Sequence, residues 1–329
     1  MNPGAGGRRR FRYAPTPTRE LHVGNGLAAL VGWAAARRAG GDFILRIEDI
    51  DRTRCKPALR DAAMRELRWL GVEWDEGPDV GGPAAPYEQS QRLAQYDDAL
   101  ARLEAAGRSY ACRCSRADVR AAMRAPHLHE GGELPYAGTC RPQAGDPGVA
   151  LLPGRGGYRL DVVSLGADAI VTVRDGWLGV TTEDVRTTCG DFLLGRPGAP
   201  TYQLAAVTDD LAMGVTDVVR GRDLAGSTAR QILLCRALGA EPPRHAHHPL
   251  LVDAEGQKLS KRHRALTLAG LRASGVAPER LRARLGAAIG LWRDDLAAAA
   301  PADFIDALPE LDPRDAAEEA HWHDGRWVL

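Results

Sequence analysis

The residues best able to do chemistry fall into four groups. Near the start, Pro15-Thr16-Pro17-Thr18 leads through Arg19-Glu20-Leu21 to His22-Val23-Gly24-Asn25, and a long apolar stretch from Leu27 to Ala36 follows. A strand, a polar turn and a helix start in that order offer free N–H groups to an anion at the carboxyl end of a parallel strand, which suits a phosphate. Far along the chain, Lys258-Leu259-Ser260-Lys261-Arg262 holds two lysines in a protein whose only other lysine is Lys56 and whose remaining basic residues are arginine. Two ammonium groups within four positions mark a place that needs mobile point charges. A third group, Glu48, Asp209, Asp210 and Arg220, sits at the ends of apolar runs read as strands, where α/β folds build recognition. The fourth is Cys112, Cys114 and Cys140, clustered on two short segments, whereas Cys55, Cys189 and Cys235 stand alone in apolar or helical contexts and read as small buried hydrophobes. A clustered set in a chain without secretory features reads as metal binding, and a tetrahedral zinc site needs a fourth ligand; generic zinc chemistry nominates His127 or His129.

Positioning these groups requires a sheet with helical crossovers. The first strand, ending at Tyr13, is followed by the helix just noted; a second runs from Asp42 and ends in the acidic Glu48-Asp49-Ile50-Asp51. Apolar residues at helical spacing predict a helix over 57–70 and another over 89–106. Tyr110 to Cys112 is a short strand. Residues 112–165 lose the hydrophobic period and gain Pro, Gly and Arg, which marks an insertion. Strand-like runs resume at 158–163, 169–173 and 191–194, then at 202–210 as a buried strand with an acidic end, at 215–221 ending in arginine, and at 248–252. Helices are predicted over 226–238 and from Leu266 onward, most clearly Pro278 to Trp292, where proline suits the first position. The class is α/β with a parallel sheet.

Composition narrows the function. The 329 residues suffice for two domains, or one with a large insertion and a helical tail. No apolar run reaches a membrane span and the start lacks a signal-peptide core, so a cytoplasmic protein without a membrane partner is expected. Residues 1–10 read as a disordered leader whose Arg8-Arg9-Arg10 is solvated. With 43 basic and 43 acidic residues the net charge is zero, so any polyanion must be met by local patches rather than by the field of the whole protein.

Taken together, the first two groups resemble the HIGH and KMSKS signatures of the class I aminoacyl-tRNA synthetases, in the right order and with an α/β pattern between them. Arg46-Ile47-Glu48-Asp49-Ile50-Asp51, Trp74-Asp75-Glu76-Gly77-Pro78, Tyr202-Gln203-Leu204-Ala205 and Val219-Arg220-Gly221-Arg222-Asp223-Leu224 narrow the resemblance to the glutamyl branch, over about Arg12 to Leu268. Glutamyl-tRNA synthetases continue into a helical anticodon-binding domain, for which the 61 residues after Leu268 are too few. With the cysteine-bearing insertion, the chain looks like the glutamyl-queuosine tRNA(Asp) synthetases, a family of stand-alone catalytic-domain paralogues.

That resemblance implies a Rossmann-like parallel sheet split into halves at 11–111 and 166–265, a zinc-containing insertion at 112–165 and a short helical region at 266–329. It implies tRNA-independent activation of L-glutamate with ATP and magnesium, then esterification of glutamate to the queuosine base in the anticodon loop of tRNA(Asp). By resemblance His22, Lys258 and Lys261 are catalytic, and ATP is held by Pro17, Thr18, His22, Gly24, Ser260 and Lys261. Glutamate falls to Arg12 and Arg220 for carboxylate, Glu48 for the ammonium group and Tyr202 for a hydrogen bond, with Ala14 and Thr16 completing the set. The family pattern nominates Tyr136, four residues before Cys140, as the fourth ligand of a structural zinc beside Cys112 and Cys114. A monomer is the default. Two departures stand out: Arg19 replaces the usual glycine of the first signature, and Arg262 ends the second. Two alternatives remain: a truncated glutamyl-tRNA synthetase charging tRNA(Glu), and a catalytically silent zinc-containing nucleotide- or tRNA-binding module. Loss of His22, Lys261 or Arg220 would mark the last, and all three are present.

Overall fold

The computed structural model describes residues 7–115, 117–119, 136–143, 149–151, 156–251, 266–293 and 296–309. Strand β1 (Arg10–Tyr13) crosses through α1 (Val23–Arg38) to the parallel strand β2 (Asp42–Leu45), with Arg12 opposite Ile44. Helix α1 is buried on nearly every face, from Leu27 and Leu30 to Val31 and Ala34. A helix without a polar face must be covered on both sides. Here Phe11, Phe43 and Val219 of the sheet lie in the same core as Leu281, Leu285 and Phe304 from the C-terminal region.

The chain continues through α2 (Pro57–Trp69) and α3 (Leu93–Ala105) to β3 (Ser109–Cys112) and β4 (Gly157–Leu160). A hairpin, β5 (Ile170–Asp175) and β6 (Gly179–Asp184), leads to the one-turn helix α4 (Val185–Thr188) and to β7 (Leu193–Arg196) and β8 (Ala199–Pro200). Then come α5 (Tyr202–Ala212), β9 (Asp217–Gly221), α6 (Thr228–Ala237) and β10 (Arg244–His248), and finally α7 (Leu268–Ala273), α8 (Pro278–Ala288) and α9 (Pro301–Ala307). The main sheet has the order β2-β1-β9-β10-β5-β6, all parallel except β6, which is antiparallel to β5. The second sheet, β3-β4-β7-β8, is antiparallel and takes strands from both sides of the β5–β6 hairpin, so residues 193–200 share a layer with the flanks of the cysteine-bearing segment.

Several local expectations are corrected. The run 202–210, read as a buried strand, is helix α5; Leu204 to Val207 are all buried, and a helix enclosed on two sides shows the same continuous apolar run as a buried strand. The strand placed at 248–252 lies earlier, at Arg244–His248, because Pro249 has no N–H to continue a ladder. The helix from Gln89 opens with a 3-10 turn, Gln89–Gln91, before α3. Of the triple arginine only Arg8 is exposed; Arg9 and Arg10 are half-buried. Arg10 opens β1, Arg9 pairs with Asp217 at 2.5 Å, and Arg8 and Arg10 both reach Asp42. Residues 1–6 lie outside the described residues.

Candidate active site

From β1 the chain moves outward to β2, and only much later places β9 on the other flank of β1. The reversal leaves a crevice at the carboxyl ends of these strands, the position at which open α/β sheets bind ligands. A cavity of about 410 Å³ occupies it. Its walls include Arg12, Ala14, Thr16, His22, Gly24, Glu48, Tyr202 and Arg220, so eight of the sequence-predicted site residues converge although they span more than 200 positions. Pro17 and Thr18 are not among the wall residues. Lys258, Ser260 and Lys261 lie outside the described residues. The interval that carries them starts after Leu251, itself in the cavity wall, and ends before Leu266, whose carbonyl accepts from Val23 N–H at 3.1 Å.

His22 is the N-cap of α1. Asn25 N–H donates to His22 Nδ1 at 3.3 Å and His22 N–H donates to Asn25 Oδ1 at 3.1 Å. Because Nδ1 accepts, the neutral ring carries its proton on Nε2. Gly24 makes room for this ring: a Cβ there would stand 3.0 Å from His22 Cε1 and Nδ1. Arg19 is exposed, and no non-glycine residue among those described has positive φ, so replacing the glycine strains nothing.

After β2 the chain runs beside the proline loop, with Arg46 N–H donating to Tyr13 O and Glu48 N–H to Pro15 O, each at 3.0 Å, and this delivers Glu48 to the cavity. Burial raises the Glu48 carboxyl above its ordinary range, with Arg46 and Arg12 opposing. Arg46, fully buried, reaches Glu48 at 3.3 Å and Asp210 at 2.6 Å. Asp210 also takes both Arg12 contacts, Nε at 3.2 Å and Nη2 at 3.4 Å. Burial would raise Asp210, but Arg12 and Arg46 hold it down at about 2. Its neighbour Asp209 accepts from Arg92 at 2.6 Å, Gln89 at 2.8 Å and Tyr96 at 2.9 Å. These two acids lie near the end of α5, not at a strand end, and they tie that helix to β1 and to the chain after β2.

Arg220 differs from Arg12. It is 5% exposed, and burial pulls it below the ordinary arginine value. Its guanidinium donates to His247 Nε2 at 2.9 Å, Gln231 Oε1 at 2.8 Å, Thr228 Oγ1 at 2.9 Å and Leu224 O at 3.3 Å, with the Tyr202 hydroxyl 3.5 Å away. Every partner is neutral; among the described residues no carboxylate pairs with it. Held by neutral acceptors, with Asp210 acting on it only from a distance, this buried cation can receive an anion.

The sequence model of a family described as tRNA synthetases class I (E and Q), catalytic domain, matches residues 9–134 and 183–290. The chain belongs to this family. It is a ligase of the class I aminoacyl-tRNA synthetase type. It is 49% identical over 281 residues to the Glutamyl-Q tRNA(Asp) synthetase of Symbiobacterium thermophilum, covering 85% of this chain and 86% of that relative. It is 42% identical to a Glutamate--tRNA ligase of an Anaeromyxobacter species, covering 82% of this chain and 55% of that relative. Among solved structures, the glutamate-tRNA synthetase of Elizabethkingia anophelis superposes with a TM-score of 0.77 at 28% identity, covering 98% of this chain and 68% of that one.

A second cluster of the synthetase lies at the rim of the antiparallel sheet. The Sγ atoms of Cys112, Cys114 and Cys140 lie within 4.8 Å of one another, Cys114 and Cys140 at 3.5 Å. The Tyr136 hydroxyl stands 3.4 Å from Cys112 Sγ and 3.5 Å from Cys114 Sγ, and it accepts from Cys140 N–H at 2.8 Å. The Arg159 guanidinium covers the Tyr136 ring at 3.8 Å and donates to Cys112 Sγ at 3.2 Å. Four donors converging at these separations fit one tetrahedral ion with metal–sulfur bonds of about 2.3 Å. Cys140 is lowered to about 7: burial opposes this, and donors from Tyr136 and the backbone win. His127 and His129 lie outside the described residues.

Sequence reasoning missed Arg46, Gln231, Thr228 and the Asp175–His247 pair, and it singled out Asp210 without its arginine partners. Arg46 stood inside a quoted motif, but buried ion pairs between distant segments leave no local pattern. The cluster His245, His247 and His248 was visible as a histidine-rich strand and was not singled out.

Proposed function

We propose that this enzyme activates L-glutamate with ATP, without tRNA, and transfers the glutamyl group to the queuosine base of the anticodon loop of tRNA(Asp). The observation that carries the glutamate reading is Arg220, a buried cation in the cavity whose partners are all neutral, with Glu48 in the same wall to take an ammonium group. Arg12, matched to Asp210, contributes donors from the neighbouring strand, Tyr202 supplies a hydroxyl, and Ala14 and Thr16 complete the wall.

The first step displaces pyrophosphate. An α-carboxylate oxygen of glutamate attacks the α-phosphorus of ATP, a P–O bond forms, and the bond to the pyrophosphate oxygen breaks. A carboxylate is already a nucleophile, so the protein positions the reactants and offsets developing charge. His22 Nε2–H and the start of α1 serve the α-phosphate, with Pro17, Thr18 and Gly24 at the ATP end. Lys261, with Lys258 and Ser260, serves the triphosphate. Magnesium would enter with the nucleotide and offset the charge of its phosphates. In the second step the queuosine hydroxyl displaces AMP from the adenylate.

Zinc fits the Cys112, Cys114, Tyr136 and Cys140 donors as a structural ion that pins the irregular segment of the insertion. Among the described residues no helix is long and apolar enough to cross a membrane. We read the enzyme as a monomer working in the cytoplasm.

The 42% identity to a Glutamate--tRNA ligase supports a second reading, charging of the 3′ end of tRNA(Glu). Glutamate-dependent ATP–pyrophosphate exchange without tRNA is the first test, and its absence in the wild type sinks the proposal. Labelled glutamate is then offered to queuosine-containing tRNA(Asp), queuosine-free tRNA(Asp) and tRNA(Glu). Transfer to the first alone supports the proposal, and exchange that requires tRNA(Glu) supports the second reading.

A further inference from the structure

Arg220 and His247 face each other across adjacent parallel strands, in register between β9 and β10. The guanidinium has donors only, so His247 Nε2, 2.9 Å from Arg220 Nε, must accept. The ring proton then sits on Nδ1 and is donated to Asp175 Oδ2. Asp175 is itself fixed: its Oδ1 accepts from the backbone N–H groups of Trp177 and Leu178 at 2.9 Å each and of His247 at 3.1 Å. This is how the β5–β6 hairpin, far from the other cavity residues in sequence, reaches the site. On the other side, Gln231 of α6 turns its Oε1 to Arg220, its Nε2 has no partner among the described residues, and Thr228 Oγ1 lies within reach of both Arg220 and His247.

We infer that His247 and Gln231 are positioning residues that aim the Arg220 guanidinium into the cavity through neutral acceptors and so reserve its charge for a carboxylate of the substrate. Asp175 stands behind the imidazole and orients the ring rather than pairing with the arginine; among the described residues the hydrogen-bond partners of Arg220 include neither Asp223, in the same wall, nor Asp210 on α5. Arg12 shows the alternative arrangement in the same cavity, a guanidinium paired directly with a carboxylate. The inference rests on the proposed glutamate site and names what makes it selective for an anion.

The test exchanges charge for shape. Gln231→Glu puts a carboxylate where the amide now meets Arg220, in the same volume. If the cradle reserves charge, this variant binds its own arginine, keeps or raises its Tm and loses glutamate affinity, with a glutamate KM in ATP–pyrophosphate exchange raised about tenfold or more. The ATP KM stays unchanged. His247→Asn keeps a donor toward Asp175 and loses the acceptor for Arg220, whereas His247→Gln can place an oxygen near the lost Nε2. The Asn variant raises the glutamate KM and the Gln variant restores part of it. Unchanged glutamate KM in all three variants overturns the inference, as does a parallel rise in the glutamate and ATP KM with a lower Tm, which marks a purely structural role. If Gln231→Glu does not fold, the two His247 variants decide. A wild-type enzyme with no glutamate-dependent exchange fails at the earlier step and removes the glutamate reading itself, and the inference with it.

Discussion

The cavity and the cysteine cluster are both polar groups withdrawn from water, yet they are built in opposite ways. Around the cavity stand side chains from β1, β9, β10 and two helices, and beside it Asp209 and Asp210 of α5 pair with Arg46 and Arg92 in a buried ion-pair network. Space is left in the middle, and one cation there faces neutral groups. In the cluster, Cys112, Cys114, Cys140 and Tyr136 close upon each other from short segments, with no comparable space between them. The first arrangement suits a ligand that comes and goes, and the second suits a small ion that stays. The difference follows from the scaffold. A parallel sheet holds distant residues rigidly at its strand ends, whereas an irregular segment needs its own internal bond.

That contrast is sharpened most strongly by losing chemistry without losing the fold. We expect His22→Ala and Lys261→Ala to lower glutamate-dependent exchange by about 10²-fold or more, as removal of a transition-state donor does. The His22 change should cost only about 1 kcal/mol of stability through the lost cap. Wild-type exchange in the Lys261 variant refutes its assignment. Next in size, Arg220→Lys keeps a charge but not the fork, and should raise the glutamate KM by about tenfold while the ATP KM stays put. Steady-state exchange kinetics measure both.

The reverse pattern is expected at the cluster. Cys140→Ala should reduce bound zinc, measured by elemental analysis, and lower the Tm by about 10 °C, with exchange at low temperature largely kept. Tyr136→Phe should do less, because it removes one donor of four. If Cys140→Ala abolished exchange at unchanged Tm, the two regions would not be separable.

The smallest effects concern acid. His248 is buried and its pKa is pushed down to about 4, so the folded state keeps it neutral while the unfolded chain takes up a proton near 6.5. Its contribution is fully present above pH 6.5 and is lost progressively as pH falls toward 4, up to about 3 kcal/mol. Asp210, lowered to about 2, contributes above its unfolded value of 3.8 and loses that contribution as pH falls from there through about 2, on the order of 2 kcal/mol. Urea unfolding of His248→Leu and Asp210→Asn against the wild type across these windows separates the two.

Much of the site was legible because its residues sit in short local motifs. His22 and Gly24 belong to one turn, and Arg12, Glu48, Tyr202 and Arg220 each fall at a position that the family resemblance singles out. The misread helix α5 shows the limit of such reading. Its apolar run fits either period, and only packing between two layers settles which one forms. The arginines of the first strand show another, since Arg9 and Arg10 look solvated until Asp42 and Asp217 arrive from 32 and 208 positions away.

By itself the sequence determined which kinds of group the molecule can bring to a ligand: a histidine at a helix start, arginines, a pair of lysines and clustered thiols. The groups follow from residue type and local spacing, and the expectation that they meet carboxylate and phosphate follows from the family resemblance. Only the tertiary structure decided which guanidinium is neutralised and which remains charged. Arg12 meets Asp210 and Arg220 meets His247 and Gln231, and such pairings depend on strand order and register across the whole chain, which local sequence does not encode.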